Sequence, residues 1–329
     1  MADPKGLSVP VIFADRFYMS ERSLGEISSL GGYRMAEAKD ARDLAEKIGG
    51  APSVKVIVSE YVQINDLVLD RAPGVKRVIS YGAGYDHIDV GAMKGRGVQV
   101  CNCRGENAQA VAELTFGLLL SLMRRIHRAD PWVRAGEWVK AGRALPDWAS
   151  GLELWSKTLG VIGLGQIGGR VVRIAKGFDM KIIAYDPFLN PELYARWGIE
   201  SAALAEVLSR ADVLSLHVPL NSATENLIDS GAFAAMKAGA ILVNTSRGKV
   251  IEEKALLDAL KTGKIKGAAL DVFATEPLPA GHPLTEMENV ILSPHLGALS
   301  LEAGDRLSDS VARQVRDILE GRPPECLIV

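Results

Sequence analysis

Cysteine is scarce: the 329 residues hold three, Cys101, Cys103 and Cys326. An odd, sparse set excludes a disulfide framework. Cys101 and Cys103 form a C-x-C, but no second pair and no nearby histidine accompany them. They read as small buried thiols at a strand end, and no metal is expected. Charge of one sign is also lacking. The formal net charge is −2 and neither sign forms a long run. Nothing therefore asks for a nucleic-acid partner, which a basic patch or excess would announce. Long apolar runs are missing too. The most apolar stretch, Leu114 to Met123, is about half the roughly 20 residues that span a bilayer. No membrane partner is expected. The opening residues, MADPKGLSVPVIFAD, lack a positive flank followed by an apolar stretch, so a cytoplasmic location is expected.

What is present is ordinary for a soluble globular protein: 48% apolar and 24% charged residues. The length suggests two domains. Short apolar runs alternate with helix-period stretches from end to end, the pattern of parallel α/β structure. The first third predicts strands at Val9–Ala14, Tyr33–Ala36, Val54–Ser59, Val75–Ser80 and Val98–Cys101, with helices such as Ala41–Ile48 and Ile64–Arg71 between them. Five such strands suggest a small doubly wound domain.

One long helix is expected from Asn107 to Arg128. It is apolar around most of its circumference, as at a domain junction or a subunit interface. The stretch Ala129 to Ser150 is rich in Trp, Gly and charge without clear periodicity and reads as an arm. A second series of strands follows at Thr158–Ile162, Lys181–Tyr185, Val213–His217, Ala240–Asn244, Gly267–Val272 and Val290–Leu292. Six strands with crossover helices suit a dinucleotide-binding sheet of order 3-2-1-4-5-6. Leu301–Glu320 reads as a final amphipathic helix.

The second series opens on TLGVIGLGQIGGRV, which contains the G-x-G-x-x-G of Gly163, Gly165 and Gly168. Such a motif alone is a weak signal, because glycine turns are common. Here it follows a strand-like run, opens a helix, and precedes Asp186 by eighteen residues, counted from Gly168. Gly163 permits the turn, Gly165 lets the backbone approach a pyrophosphate, and Gly168 allows close helix–strand packing. The helix N-terminus offers unpaired amides to phosphates. Asp186 can accept hydrogen bonds from ribose hydroxyls and would repel a 2′-phosphate. Pro187 and Phe188 supply no arginine to neutralise one, so NAD is favoured over NADP. The bland alternative is a glycine turn beside a capping Asp.

Ligands of open α/β sheets sit beyond the carboxyl ends of the strands. Three such ends carry Arg247 (in NTSRG), Glu276 (in LDVFATEP) and His295 (in LSPHLGA). Each alone could be a surface Arg, a solvated Glu or a turn-capping His. Together they suit hydride transfer at a carbon bearing a hydroxyl beside a carboxylate. Arg247 can grip a carboxylate or a substrate oxygen with its planar fork of donors. His295 can exchange the hydroxyl proton, and Glu276 hydrogen-bonded to the imidazole would favour the imidazolium. Asp271 is expected to point at the nicotinamide end of the cofactor.

The blocks SYGAGYDHIDV, ENAQAVAELTFGLLLSLMRR, KTLGVIGLGQIGGRV, AYDP, LHVPLNSAT, LVNTSRGKVIEEKAL, GAALDVFATEP and VILSPHLGA cover nearly the whole chain. With them the sequence resembles the D-isomer-specific 2-hydroxyacid dehydrogenases, most closely the phosphoglycerate dehydrogenase-like branch without a regulatory domain. The resemblance implies an α/β fold of two doubly wound parallel-sheet domains. A Rossmann NAD-binding domain (106–295) is inserted into a smaller flavodoxin-like substrate domain (1–105 plus 296–329), which the C-terminal helix completes. It implies that Arg247, Glu276 and His295 form the catalytic set. Cofactor contacts are implied at Gly163, Gly165, Gln166, Ile167, Gly168 and Asp186. Further contacts are implied at Pro219, Thr224, Thr245, Ser246 and Arg247, and at Asp271, His295 and Gly297. Substrate contacts are implied at Arg247 and His295, at Ser59, and at Tyr81, Ala83 and Gly84. The last three belong to a loop whose backbone donors would bind the substrate carboxylate. YGAGY by itself reads only as a tight turn. A homodimer is implied through the 107–128 helix and the 129–150 arm.

Some positions depart from the family. Formate dehydrogenases of this fold have Gln where Glu276 stands, which argues against formate. Phosphoglycerate enzymes commonly have an Arg in the loop that here reads Val58-Ser59-Glu60-Tyr61. Its absence leaves 3-phosphoglycerate in doubt and suits a smaller or hydroxylated C3 group, as in glyoxylate or hydroxypyruvate. Alternatively Lys140 or Arg143, from the arm of a neighbouring subunit, could supply the charge for phosphoglycerate or sulfolactate. The rival class is a dinucleotide-sensing, corepressor-like scaffold, which this fold also serves.

Overall fold

The computed structural model describes residues 9–188 and 191–329. The chain divides into two compact units, Met1–Asn107 with Ala298–Val329, and Ala108–Gly297.

The first unit is built on a parallel sheet of five strands: β1 (Val11–Phe13), β2 (Tyr33–Met35), β3 (Val56–Ser59), β4 (Arg77–Ser80) and β5 (Gln99–Asn102). Their order is β2-β1-β3-β4-β5, the flavodoxin-like arrangement. Every residue of β1 and β3 is buried, because helices cover both faces of such a sheet and leave no polar side. Register is set by rows such as Tyr33, Val11, Val56 and Arg77. The helix Ala41–Ile48 shows how local signals act. Asp40 caps it by accepting the amides of Arg42 and Asp43, and Gly49 ends it at φ 65°. Its Leu44 and Ile48 bury against Ile12, Ile57 and Val78 on one face. The other face, with Phe13, Val56 and Ile79, lies under Leu307, Val311 and Val315 of the helix Leu301–Leu319. The C-terminal tail closes the edge of β5: the Val100 amide donates to Val329 and the Ile328 amide to Val100. Cys101 and Cys103 are fully buried, and burial pushes their thiols up to about 11 and about 12.

The second unit holds seven parallel strands: β6 (Thr158–Ile162), β7 (Lys181–Tyr185), β8 (Glu200–Ser201), β9 (Val213–Leu216), β10 (Ala240–Asn244), β11 (Ile265–Leu270) and β12 (Val290–Leu292). The order is β12-β11-β10-β9-β6-β7-β8. This corrects the expected six strands. The run at Val213 is not the outer third strand; it pairs directly with β6. The third place, beyond β7, belongs to Glu200–Ser201, which pairs only with Ile183 and Ala184. Two exposed polar residues at a sheet edge carry no apolar run, so no sequence pattern announces them.

The expected single helix from 107 to 128 is also corrected. It spans Ala108–Met123, after which Arg125 turns left-handed at φ 59°. The Met123 carbonyl accepts the amide of Leu152. Gly151 approaches so closely that a Cβ there would lie 2.5 Å from that carbonyl oxygen. The return of the chain thus terminates the helix, whose composition would have let it continue. The arm is partly helical, at Ile126–Arg134 and Glu137–Lys140. Trp148 holds it together, edge-on to Trp132 and under the Arg128 guanidinium at 4.7 Å. Among the described residues no helix is long and apolar enough to cross a membrane.

Candidate active site

The glycine loop joins β6 to the helix Gln166–Lys176, and each glycine answers a different steric demand. Gly163 has φ 90°, and a Cβ there would lie 2.5 Å from the His217 carbonyl oxygen. A Cβ on Gly168 would lie 2.1 Å from the Gly163 oxygen, so the helix could not seat on the strand. Beside Gly165 there is open space. Backbone that faces space at a helix N-terminus is what a pyrophosphate needs, so these residues fit a dinucleotide. At the end of β7, Asp186 accepts the amides of Leu164 and Phe188 at 2.8 and 3.0 Å. The acid is thereby fixed against the loop it serves. Ile167 packs on the core of the second unit. Gln166 accepts from Arg170. Thr224 donates to the Pro219 carbonyl and accepts the Asn221 amide, closing the turn after β9.

Beyond β10 the chain reads Thr245, Ser246, Arg247, Gly248. Thr115 donates to Val111, so its contact with Thr245 at 2.9 Å makes Thr245 the donor. Arg247 donates from Nη1 to the Ser246 carbonyl. Gly248 lies against the Phe273–Ala274 peptide, where a Cβ would come within 1.9 Å of the Phe273 carbonyl carbon. The loop after β10 is thereby seated on the loop that carries Glu276.

Beyond β11 and β12, Asp271 and Glu276 organise His295. The Asp271 carbonyl accepts the His295 amide at 2.9 Å. Its carboxylate accepts the amides of Leu296 and Gly297, each at 2.8 Å. Asp271, expected at the nicotinamide end of the cofactor, lies immediately beside His295 in this arrangement. Its carboxylate is turned onto the backbone beyond His295, which it ties down while His295 sits at φ 56°. Burial pushes the Asp271 carboxyl above its ordinary value, against the pull of those hydrogen bonds. His295 Nδ1 lies 2.8 Å from Glu276 Oε2, and Glu276 Oε1 accepts the Phe273 amide at 2.8 Å. Burial alone would raise the Glu276 carboxyl. The hydrogen bonds from His295 and Phe273, with the charges of His295 and Arg247, hold it below its ordinary value. Both side chains are half-buried. An ionised carboxylate thus orients the imidazole, with a guanidinium near enough to be felt.

The substrate-side expectations fall in the first unit. Ser59 is fully buried and its hydroxyl donates to the Val62 carbonyl, so the side chain is spent internally. The Tyr81 ring stacks on Phe17, its hydroxyl donates to Tyr18, and its amide donates to Ser59. The Gly82 amide donates to Ser80. The carbonyls of Ala83 and Gly84 are held by Asn102 and Ser80. Among the described residues the amides of Ala83 and Gly84 meet no protein acceptor, which suits an anion.

Sequence reasoning passed over three residues that shape these loops. Asn244, fully buried, accepts the Ser246 amide and hydroxyl and donates to the Arg247 carbonyl. Its signal was present, since Asn at a strand end favours such side-chain turns. Asp15 accepts the amides of Glu60, Tyr61 and Val62. His217 bonds Ser215 through Nε2 at 2.8 Å, while its Nδ1 is enclosed without a partner. No local pattern marks the last two, because their partners are distant or buried.

Comparison with known proteins places this geometry. Residues 116–297 match the family model described as D-isomer specific 2-hydroxyacid dehydrogenase, NAD binding domain. A glyoxylate reductase of Thermofilum pendens is 40% identical over 273 residues, 81% of this chain and 78% of that protein. A D-3-phosphoglycerate dehydrogenase of Methanocaldococcus jannaschii is 39% identical over 311 residues, 94% of this chain but 58% of that protein. Among solved structures, an NADPH-dependent glyoxylate/hydroxypyruvate reductase of Sinorhizobium meliloti, in complex with NADP and malonate, superposes with a TM-score of 0.85. It is 28% identical, and the match covers 98% of this chain and 97% of that one. A glycine cradle with its acid, and an imidazole held by a carboxylate beyond neighbouring strand ends, thus occur on a matching fold and sequence: this chain belongs to the D-isomer specific 2-hydroxyacid dehydrogenase family and is an NAD-binding oxidoreductase of it.

Proposed function

We propose that this protein reduces short, unphosphorylated 2-keto acids of the glyoxylate and hydroxypyruvate class to 2-hydroxy acids, with Arg247, Glu276 and His295 as the catalytic set. The observation that carries the assignment is the 2.8 Å hydrogen bond between His295 Nδ1 and Glu276. It commits Nδ1 and makes Nε2 the nitrogen that exchanges a proton with the substrate oxygen. Glu276 stabilises the imidazolium that donates to a keto oxygen. In the reverse direction the imidazole takes the hydroxyl proton back. Arg247 holds the carboxylate or keto oxygen through its planar fork. NADH, when bound, supplies the hydride that the keto carbon takes up.

Two features support the unphosphorylated class. The end of β3 and the residues after it read Ser59, Glu60 and Tyr61 with no arginine, and a phosphate there would meet an acid instead of a cation. A glyoxylate reductase is matched over 78% of its own length, against 58% for a phosphoglycerate dehydrogenase. NAD is preferred to NADP on the strength of Asp186, which would face a 2′-phosphate with a like charge, although the Sinorhizobium enzyme holds NADP. The measurement is steady-state NADH turnover with glyoxylate, hydroxypyruvate, phosphohydroxypyruvate and sulfopyruvate. The first two should be the best substrates. Preference for an anionic C3 group overturns the substrate class. Tight NADH binding without turnover of any keto acid moves the reading to a dinucleotide-sensing scaffold.

The protein acts as a homodimer through the 107–128 region and the arm. Exposed apolar side chains support this, with Val139 86% and Leu145 70% exposed. Sedimentation equilibrium at monomer mass overturns it.

A further inference from the structure

The reading of Arg247 as the substrate clamp leaves open what holds that arginine in place. Its own guanidinium reaches back to the Ser246 carbonyl, which orients the head but does not fix the main chain. The chain from 245 to 247 leaves a rigid sheet and must deliver one long side chain to a reacting carbon. A misplacement of about 1 Å at such a site can cost on the order of 100-fold in rate.

We propose that Asn244 is the positioning residue for Arg247, a role that rests on the reading of Arg247 as the clamp. Asn244 is the last residue of β10 and is fully buried. Its main chain is locked from both sides. It lies opposite Leu216 of β9 and Leu270 of β11, and its carbonyl accepts the Asp271 amide at 3.0 Å. From this anchor the carboxamide makes three bonds forward. Oδ1 accepts the Ser246 amide at 3.0 Å and the Ser246 hydroxyl at 2.8 Å. Nδ2 donates to the Arg247 carbonyl at 2.9 Å.

The pattern demands an amide. One end must accept and the other must donate, so aspartate, of the same shape, would set a carboxylate oxygen against the Arg247 carbonyl. Buried as it is, the mismatch cannot be relieved by water. The strain would fall on Arg247, because the next residue cannot yield. Gly248 is already in contact with the Phe273–Ala274 peptide. Asn244 therefore ties the arginine to the sheet, and Gly248 ties it to the Glu276 loop.

The test is a double-mutant cycle between Asn244→Asp and Arg247→Lys, read as kcat, KM and NADH Kd in the full-length enzyme. Asn244→Asp should lower kcat/KM for glyoxylate by about 10- to 100-fold, leaving NADH Kd within about two-fold. A residue that acts through Arg247 gives non-additive losses. The double variant should then be within about two-fold of Arg247→Lys alone. Losses that multiply, or wild-type kcat/KM in Asn244→Asp beside a damaged Arg247→Lys, overturn the positioning role alone. A silent Arg247→Lys overturns the clamp reading itself. If Asn244→Asp does not fold, as judged by its circular dichroism and melting transition, Asn244→Ser carries the same cycle. Its single short hydroxyl cannot serve Ser246 and the Arg247 carbonyl together, as Oδ1 and Nδ2 of Asn244 do.

Discussion

His295 and Glu276 stand nineteen residues apart in the chain and 2.8 Å apart in space. The histidine sits in left-handed backbone at φ 56°, a conformation that costs a non-glycine residue and persists only where surrounding bonds hold it. Here those bonds come from Asp271, through the amides of residues 295 to 297. The glutamate is fixed in turn by the Phe273 amide. Neither partner depends on substrate for its orientation.

Glu276→Gln keeps the shape and removes the charge that favours the imidazolium. Keto-acid reduction should slow by about 10- to 100-fold, within the range general acid–base groups contribute. NADH affinity should stay near wild type. Single-turnover kinetics against NADH titration checks this; an unchanged chemical step rejects the role of the pair. The pairing also has a pH sign. The Glu276 carboxyl lies below its ordinary value in the folded protein. Its contribution to stability is present above that ordinary value and is lost as pH falls through the lowered one.

Asp186→Ala removes both the acid and the acceptor of the Leu164 and Phe188 amides. Two effects should appear together: weaker NAD binding, and a smaller ratio of kcat/KM for NADH over NADPH. A ratio that does not move means another group sets cofactor choice.

Gly248→Ala places a methyl group within 2.0 Å of the Phe273 carbonyl oxygen. No side-chain rotation relieves a clash with backbone, so the loops bearing Arg247 and Glu276 must separate. Overpacking of this kind costs about 1–3 kcal/mol. Activity should fall further than stability, because the loops of both Arg247 and Glu276 move. A variant with wild-type melting temperature and wild-type kcat/KM refutes the account of this contact.

His217 predicts a stability slope in mild acid. Burial pushes its imidazole from its usual 6.5 down to about 3. Between those values the unfolded chain binds a proton that the folded protein refuses. Stability is therefore complete above about 6.5 and falls as pH drops toward about 3. Urea midpoints at pH 7.5 and 5 should fall more steeply in the wild type than in His217→Asn. Parallel slopes would place the protonation elsewhere.

Much of this fold is legible along the chain, for a physical reason. Strands buried on both faces must be continuous apolar runs, and the interior strands such as Val56–Ser59 and Ala240–Asn244 announce themselves that way. The edge strand Glu200–Ser201 does not, since two exposed polar residues carry no burial signal. The end of the helix at Met123 is equally silent. No proline or glycine stands at Arg124–Arg125, and the stop is imposed by Gly151 and Leu152 returning from nearly thirty residues away. Ser59 illustrates the same limit in a site. Its place at the end of a strand makes it a candidate, but burial and the Val62 carbonyl claim its hydroxyl.

By itself the sequence determined the fold class, the glycine cradle with its acid, and the identity of Arg247, Glu276 and His295 as candidates. Those features depend on local spacing and on which residue follows which strand, and the chain states both. Only the tertiary structure decided which groups meet. Asp271 turns to the backbone past His295, Asn244 reaches over to the Arg247 carbonyl, and Gly248 seats the Arg247 loop on the Glu276 loop. Hydrogen bonds and steric contacts act over about 3 Å whatever the sequence separation, so the partners exist only once the sheet has brought its strand ends together.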